Sequence, residues 1–105
     1  MSAIHLTKAD FDQKTEKGVT LVDFWAPWCG PCRMAGPVID NLAVQFQNKA
    51  LVAKVNVDEQ GELAEKFGVM SIPTVVILKD GQEVERTTGF VGEDAYKEFL
   101  EKHLK

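Results

Sequence analysis

Cysteine is scarce in this chain of 105 residues: there are two, at positions 29 and 32, and no others. Half-cystines so close together cannot tie distant parts of a domain, so the fold is not a disulfide-built scaffold. Basic residues give no surplus either. The 12 Lys and Arg face 16 Asp and Glu, a net charge of −4, which argues against a sequence-independent grip on nucleic-acid phosphates. Long apolar runs are missing, since the longest aliphatic stretch is Val75-Val76-Ile77-Leu78, far short of a membrane span. Met1-Ser2-Ala3-Ile4-His5 has neither the basic start nor the apolar run of a signal peptide, so the expected location is cytoplasmic. Repeats and low-complexity stretches are absent.

What is present describes an ordinary globular chain, with 45% hydrophobic and 27% charged residues. A chain of this length buries roughly 65% of its unfolded surface and supports one core, so residues 1–105 are expected to form a single domain. The acid surplus lies wholly in residues 51–105, with seven bases and eleven acids against five of each before them. It reads as solvated helix and edge-strand surface rather than as an acidic tail.

The pattern of elements is legible from end to end. A weak strand is expected near Ala3–His5, and Thr7-Lys8-Ala9-Asp10 has the form of a helix start with Thr7 as cap and Phe11 opening the apolar face. Val19 to Ala26 is nearly all apolar and predicts a central strand buried on both faces. From Cys32 to about Gln47, Met34, Val38, Leu42 and Phe46 recur every four residues and predict a helix, kinked at Pro37. Leu51 to Val57 predicts a second buried strand, and Glu62 to Phe67 a short helix with Leu63, Ala64 and Phe67 inward, closed by Gly68. Thr74–Lys79 and Gln82–Thr88, joined by Asp80-Gly81, predict a hairpin. Gly92-Glu93-Asp94 opens a last helix with the stripe Ala95, Tyr96, Phe99, Leu100 and Leu104. The fold class is α/β: a mixed sheet of about five strands and about four flanking helices, parallel where a helix links the strands and antiparallel at the hairpin.

The chemistry concentrates in Trp25-Ala26-Pro27-Trp28-Cys29-Gly30-Pro31-Cys32, where the central strand gives way to the kinked helix. Cysteines at i and i+3 share one helix face and can bond without moving the backbone. Such a bond closes so small a loop that it stabilises the fold little by chain entropy, and it suits opening and closing better than stapling. Cys29 at the helix start faces unpaired N–H groups and the positive end of the dipole, which favour thiolate over thiol. Cys32, one turn inside, is expected to be more covered and to resolve a mixed disulfide formed by Cys29. Gly30 leaves Cys29 open to a bulky partner, Pro31 fits the first turn, and Trp28 offers an apolar face beside the sulfur.

Trp28-Cys29-Gly30-Pro31-Cys32, with Ser71-Ile72-Pro73-Thr74 and the strand Val22-Asp23-Phe24-Trp25-Ala26, closely resembles the thioredoxin family of the small bacterial type, along essentially the whole chain. The resemblance implies the thioredoxin fold and a general protein-disulfide reductase, a thiol–disulfide oxidoreductase and electron carrier. It implies no bound cofactor and no metal, only a reversible Cys29–Cys32 disulfide that a thioredoxin reductase re-reduces with NADPH. Implied partners are that reductase and disulfide-containing proteins, with no nucleic acid or membrane, and the chain acting as a monomer. By the same resemblance Cys29 is the nucleophile, Cys32 the resolving thiol, Asp23 the buried acid beneath them and Lys54 its nearby lysine. Pro73 matches a cis proline facing the disulfide, and Trp28, Gly30, Pro31, Ile72 and Gly89 match the substrate-binding surface. Met34-Ala35-Gly36-Pro37 and Phe90 depart from the family pattern, which bears on helix rigidity and partner choice.

Plainer readings stand beside these. Against reading the cysteines as half of a zinc site, only His5 and His103, at opposite ends of the chain, remain as further nitrogen or sulfur ligands; both histidines read as surface residues. Asp23 alone would read as a core acid satisfied by a hydrogen bond, and Lys54 as a solvated charge. Trp25 reads mainly as core, Trp28 mainly as surface contact, and Glu59, Glu62 and Glu65 as a solvated face. Two other functions are carried: a disulfide oxidant or isomerase, against which Gly-Pro between the cysteines speaks, and a non-catalytic binding subunit using the apolar surface around Trp28, Ile72 and Phe90.

Overall fold

The computed structural model describes residues 2–105; Met1, part of the expected 1–105 domain, lies outside the described residues. Nine elements follow in the order β1 (Ile4–His5), α1 (Phe11–Thr15), β2 (Val19–Trp25), α2 (Gly30–Gln45), β3 (Leu51–Asn56), α3 (Gly61–Lys66), β4 (Thr74–Lys79), β5 (Gln82–Thr88) and α4 (Glu93–His103). One sheet orders the strands β1-β3-β2-β4-β5, so β2 lies at the centre. No helix among the described residues is long and apolar enough to cross a membrane.

β2 is hydrogen-bonded along both sides, parallel to β3 and antiparallel to β4. Its residues alternate between two cores. Val19 and Leu21 pack with Ile39, Leu42 and Phe46 of the α2 segment and with Tyr96 and Leu100 of α4. Val22 and Phe24 pack on the other face with Phe11 and Leu63. Asp23 and Trp25, by the same alternation, fall on the α2 side.

Several expectations need correction. Helix-linked strands were expected to run parallel, yet β4, which follows α3, is antiparallel to β2. The six residues of β3 run about 20 Å, whereas α3 with six residues returns only about 9 Å. The chain therefore re-enters the sheet at the end where it left, with Thr74 opposite Phe24. The stripe Met34, Val38, Leu42, Phe46 holds only in part: Leu42 and Phe46 are buried and Val38 packs against them, but Met34 is not on the buried face of α2. Residues spaced four apart drift about 40° per step around a helix, and Met34 ends 62% exposed. The buried set is Cys32, Ala35, Ile39 and Leu42, which follows the helical repeat. Thr7 does not cap α1: the ladder begins at Phe11, and Asp10 Oδ1 accepts from the Thr7 N–H at 2.8 Å and its hydroxyl at 3.1 Å. Only the backward half of the capping box thus forms. Leu104 lies beyond α4 and is exposed, and His103 is half-buried against Glu85 Oε1 at 3.0 Å.

The hairpin forms as expected, with Asp80 (φ 51°) and Gly81 (φ 84°) in the left-handed region a two-residue turn requires. At the opposite end of β4, the Tyr96 hydroxyl lies 3.2 Å from the Gly89 carbonyl, to which it donates, and accepts from the Val91 N–H at 3.4 Å. Tyr96→Phe removes both bonds while keeping the ring. We expect about 1 kcal/mol lower stability by denaturant titration, together with faster amide exchange at Val91. Unchanged exchange there would mean that the Gly89–Gly92 loop does not depend on Tyr96.

Candidate active site

The carboxyl ends of β2 and β3, the amino end of α2 and the start of β4 meet at one end of the sheet. After Trp25 the chain turns, with the Cys29 N–H donating to the Ala26 carbonyl at 3.2 Å. Cys29 is the N-cap of α2, and its Sγ accepts from the Cys32 N–H at 3.2 Å. The first turn of the helix therefore points a donor at this sulfur, as a helix start must. The two cysteines form a disulfide across Cα atoms 5.2 Å apart, a separation that needs no backbone movement.

Cys29 was expected to be open and Cys32 covered, but both are buried, at 6% and 3% exposure. The approach lies beside them. A Cβ built at Gly30 would meet nothing within 4 Å, so the side of Cys29 nearest Gly30 is unobstructed. Ile72 forms the facing wall, with its carbonyl oxygen 3.8 Å from Cys29 Sγ. The Ile72–Pro73 bond is cis, as expected. The loop around it is pinned by the Thr74 hydroxyl on the Ser71 carbonyl at 2.6 Å and by the Gly89 N–H on the Pro73 carbonyl at 2.8 Å. Among the described residues, no hydrogen bond uses the Ile72 N–H, which is free to pair with an extended partner strand.

Trp28 is 65% exposed, and its indole N–H donates to Asp58 Oδ2 at 2.9 Å. Asp58 follows β3 in a turn closed by its N–H on Asn56 Oδ1 at 2.9 Å. Sequence reading missed Asp58 because only the fold brings it to residue 28. An apolar hollow of about 330 Å³ runs from Trp28 to Ile72, floored by Val57, Ala64 and Val69 and flanked by Met70, which is 95% exposed. Phe90, expected on this surface, instead packs towards Tyr96, ring centres 6.3 Å apart.

Beneath the disulfide, the pairings His5↔Lys54 and Lys54↔Asp23 form a row across β1, β3 and β2. A cavity of about 160 Å³ lies over that row, lined by His5, Asp23, Trp25, Cys32, Arg33, Gly36 and Lys54. Asp23 is 1% exposed and its Oδ1 has no hydrogen-bond partner. Burial pushes its pKa up to about 7, against the pull of Lys54, with Asp40 adding to the rise. The reading of Asp23 as a satisfied core acid therefore fails, and so does that of Lys54 as a solvated charge: its side chain is 12% exposed and ion-paired to Asp40 at 3.1 Å. His5 is exposed but not merely superficial, since it meets Trp25 edge-on at 6.2 Å and helps line the cavity. Among the described residues, no group of three or more His, Cys, Asp or Glu side chains is disposed to hold a metal.

Comparison with known proteins agrees with this arrangement. A sequence model of the family described as Thioredoxin matches residues 2–102. The chain is similar to proteins named Thioredoxin from Staphylococcus aureus, strains Mu50 / ATCC 700699 and COL, each 50% identical over 104 residues, 99% of this chain and all of the relative. Its fold is similar to that of a mutant thioredoxin from Halobacterium salinarum NRC-1, with a TM-score of 0.90 and 39% identity over 99% of this chain and 92% of that one.

The raised pKa of Asp23 makes stability depend on pH. Below the ordinary value of 3.8 the carboxyl is protonated in both folded and unfolded chains, and burial carries no ionisation penalty. Between 3.8 and about 7 the unfolded chain loses the proton and the native state keeps it, so stability falls as pH rises and levels off above about 7. Asp23→Asn is expected to stabilise the protein well above pH 7 by about 4 kcal/mol and hardly at all below pH 4. Thermal unfolding across that range checks this. An Asn variant less stable than the parent at pH 8 would show that the carboxylate is paired in the native state.

Proposed function

Since this chain belongs to the thioredoxin family, whose members are thiol–disulfide oxidoreductases, we propose that Cys29 attacks substrate disulfides and Cys32 resolves the product. The chain is a protein-disulfide reductase built on a reversible Cys29–Cys32 pair, and thioredoxins need no bound cofactor for this. The single observation that carries the division of labour is the position of Cys29 as N-cap, with the Cys32 N–H directed at its sulfur. In the dithiol form that donor favours a thiolate on Cys29.

The reaction runs in two exchanges. The Cys29 thiolate attacks one sulfur of the substrate disulfide; that S–S bond breaks, a mixed disulfide forms and the leaving thiolate takes a proton. Cys32 then gives its thiol proton to the Asp23 carboxylate, and its thiolate attacks Cys29 Sγ. The mixed disulfide breaks, the Cys29–Cys32 bond forms and the second substrate sulfur leaves as a thiolate, which is protonated. Two electrons pass to the substrate, which ends as two thiols. A group with a pKa near neutrality suits the proton transfer, and Asp23 lines the same cavity as Cys32.

In this reading Trp28, Gly30, Pro31, Ile72, Pro73 and Gly89 receive the substrate, with the free Ile72 N–H pairing to its backbone and the hollow beside Trp28 taking an apolar side chain. Lys54 tunes the charge of Asp23. Family membership implies disulfide proteins and a thioredoxin reductase as partners; we assign the chain to the cytosol, where a dithiol stays reduced between turnovers. Residues 1–105 act as one domain and as a monomer, a reading supported by the way α1 to α4 cover both faces of the sheet. One sheet edge is the two-residue β1 and the other, β5, is guarded by the Arg86–Glu83 pair at 2.8 Å.

Trapping tests the assignment. Cys32→Ser is expected to accumulate covalent mixed disulfides with substrate proteins, read by non-reducing gels and mass spectrometry, and Cys29→Ser almost none. Equal trapping by both variants would reverse it. The couple is expected to lie below the cytosolic glutathione pool of about −220 to −260 mV when equilibrated with glutathione. A value well above it would identify an oxidant, and full function of the Cys29→Ser/Cys32→Ser double variant would leave only a binding role.

A further inference from the structure

Asp40 stands outside every residue that the sequence singled out, yet it binds Lys54, the cation that acts most strongly on Asp23. Its Oδ1 accepts from Lys54 Nζ at 3.1 Å and from the Ala3 N–H at 3.0 Å. Lys54 is paired directly across β2 and β3 with Asp23 and shares its cavity. Even so, no ion pair joins the two, and Asp23 Oδ1 has no hydrogen-bond partner. The lysine instead reaches over the open position of Gly36, where a Cβ would lie 3.9 Å from Nζ, to the next turn of α2. Arg33, the other cation lining the cavity, is turned to the Pro27 carbonyl at 3.3 Å.

We propose that Asp40 is a positioning residue for the exchange reaction: by holding the Lys54 ammonium at the rim of the cavity it leaves Asp23 without a bonded cation and basic enough to take the Cys32 proton. The groups facing Asp23 are His5 on β1, Lys54 on β3, Cys32, Arg33 and Asp40 on α2, and Tyr96 on α4, which feels the charge of Asp23. Among them the lysine lowers the pKa of Asp23 and Asp40 raises it. Removing the Asp40 charge frees the lysine to turn towards Asp23 and pair with it. A cation-paired carboxylate is a weaker base, so the resolving step slows.

The proposal rests on Asp23 as the proton carrier, and two readouts keep the claims apart. The first is the Asp23 titration midpoint, followed by carbon-13 NMR in the disulfide form, where neither cysteine titrates. Asp40→Asn keeps an acceptor for the Ala3 N–H, and its Asp23 midpoint is expected to fall by about one unit or more. Asp40→Glu restores it. In a Lys54→Met background, Asp40→Asn should move the midpoint little further. The same shift with and without Lys54 would mean that Asp40 acts by its own field alone, and an unmoved midpoint that it does not act at all; either result overturns the proposal. The second readout is single-turnover resolution of a mixed disulfide against pH. In Asp40→Asn its acid limb should move down with the midpoint and its plateau should fall roughly threefold. If Asp23→Asn resolves at the parental rate, Asp23 is not the proton carrier and the catalytic half of the proposal falls with it, whatever the midpoints show.

Discussion

The structure depends on β2 being buried from every direction. Strands flank it on both sides and helices cover both its faces, so each of its side chains must be accepted by a packed interior. Leu21, Val22 and Phe24, each with 0% exposure, meet that demand by burying apolar area at roughly 25 cal/mol per Å². Asp23 does not meet it. An ionised carboxylate without a partner is costly in such surroundings, and the group responds by keeping its proton up to a pH of about 7. The same burial that organises the sheet thereby sets the acid–base property of the site.

A second consequence concerns where the reactive end lies. The short α3 returns the chain to the end of the sheet at which β2 and β3 stop, so the loop before β4 faces the amino end of α2. The disulfide adds little to holding this end together, because it closes so small a loop. Local hydrogen bonds do so instead: Cys29 to Ala26, Thr74 to Ser71 and Gly89 to Pro73. A site held in this way keeps its shape when the sulfur–sulfur bond opens. That is a requirement for a pair that must be oxidised and reduced repeatedly.

Much of this was legible in the sequence, for identifiable reasons. A buried strand, a two-residue hairpin and a helix start carrying both cysteines each have a local signature, and each forms where it was expected, within a residue or two. The direction of β4 was not legible, because it follows from comparing the reach of α3 with the length of β3. Met34 was misassigned because each step of four drifts about 40° around the helix, so that two steps from the buried Leu42 it has left the face. Asp58 and Asp40 were missed for a different reason. Neither has a local pattern, and each matters only because the fold carries it to a residue 30 positions away, in the case of Trp28, or to Lys54 on a neighbouring strand.

Among the described residues, the three buried side-chain atoms without a hydrogen-bond partner, Thr20 Oγ1, Asp23 Oδ1 and Trp25 Nε1, belong to β2. Such groups cost about 1–3 kcal/mol each, and their gathering on one strand is not a general looseness of packing. Asp23 and Trp25 are two apart, share a face and line one cavity with Cys32, so two of the three costs fall in the cavity that reaches the disulfide, where the proposed reaction needs a sheltered proton. A carboxyl bonded to Trp25 or to Lys54 would be cheaper to fold and would surrender its proton sooner. On the reading proposed above, the fold forgoes a bond to Lys54, the residue paired with Asp23 across β2 and β3, and the ion pair between Lys54 and Asp40 is what makes that omission possible.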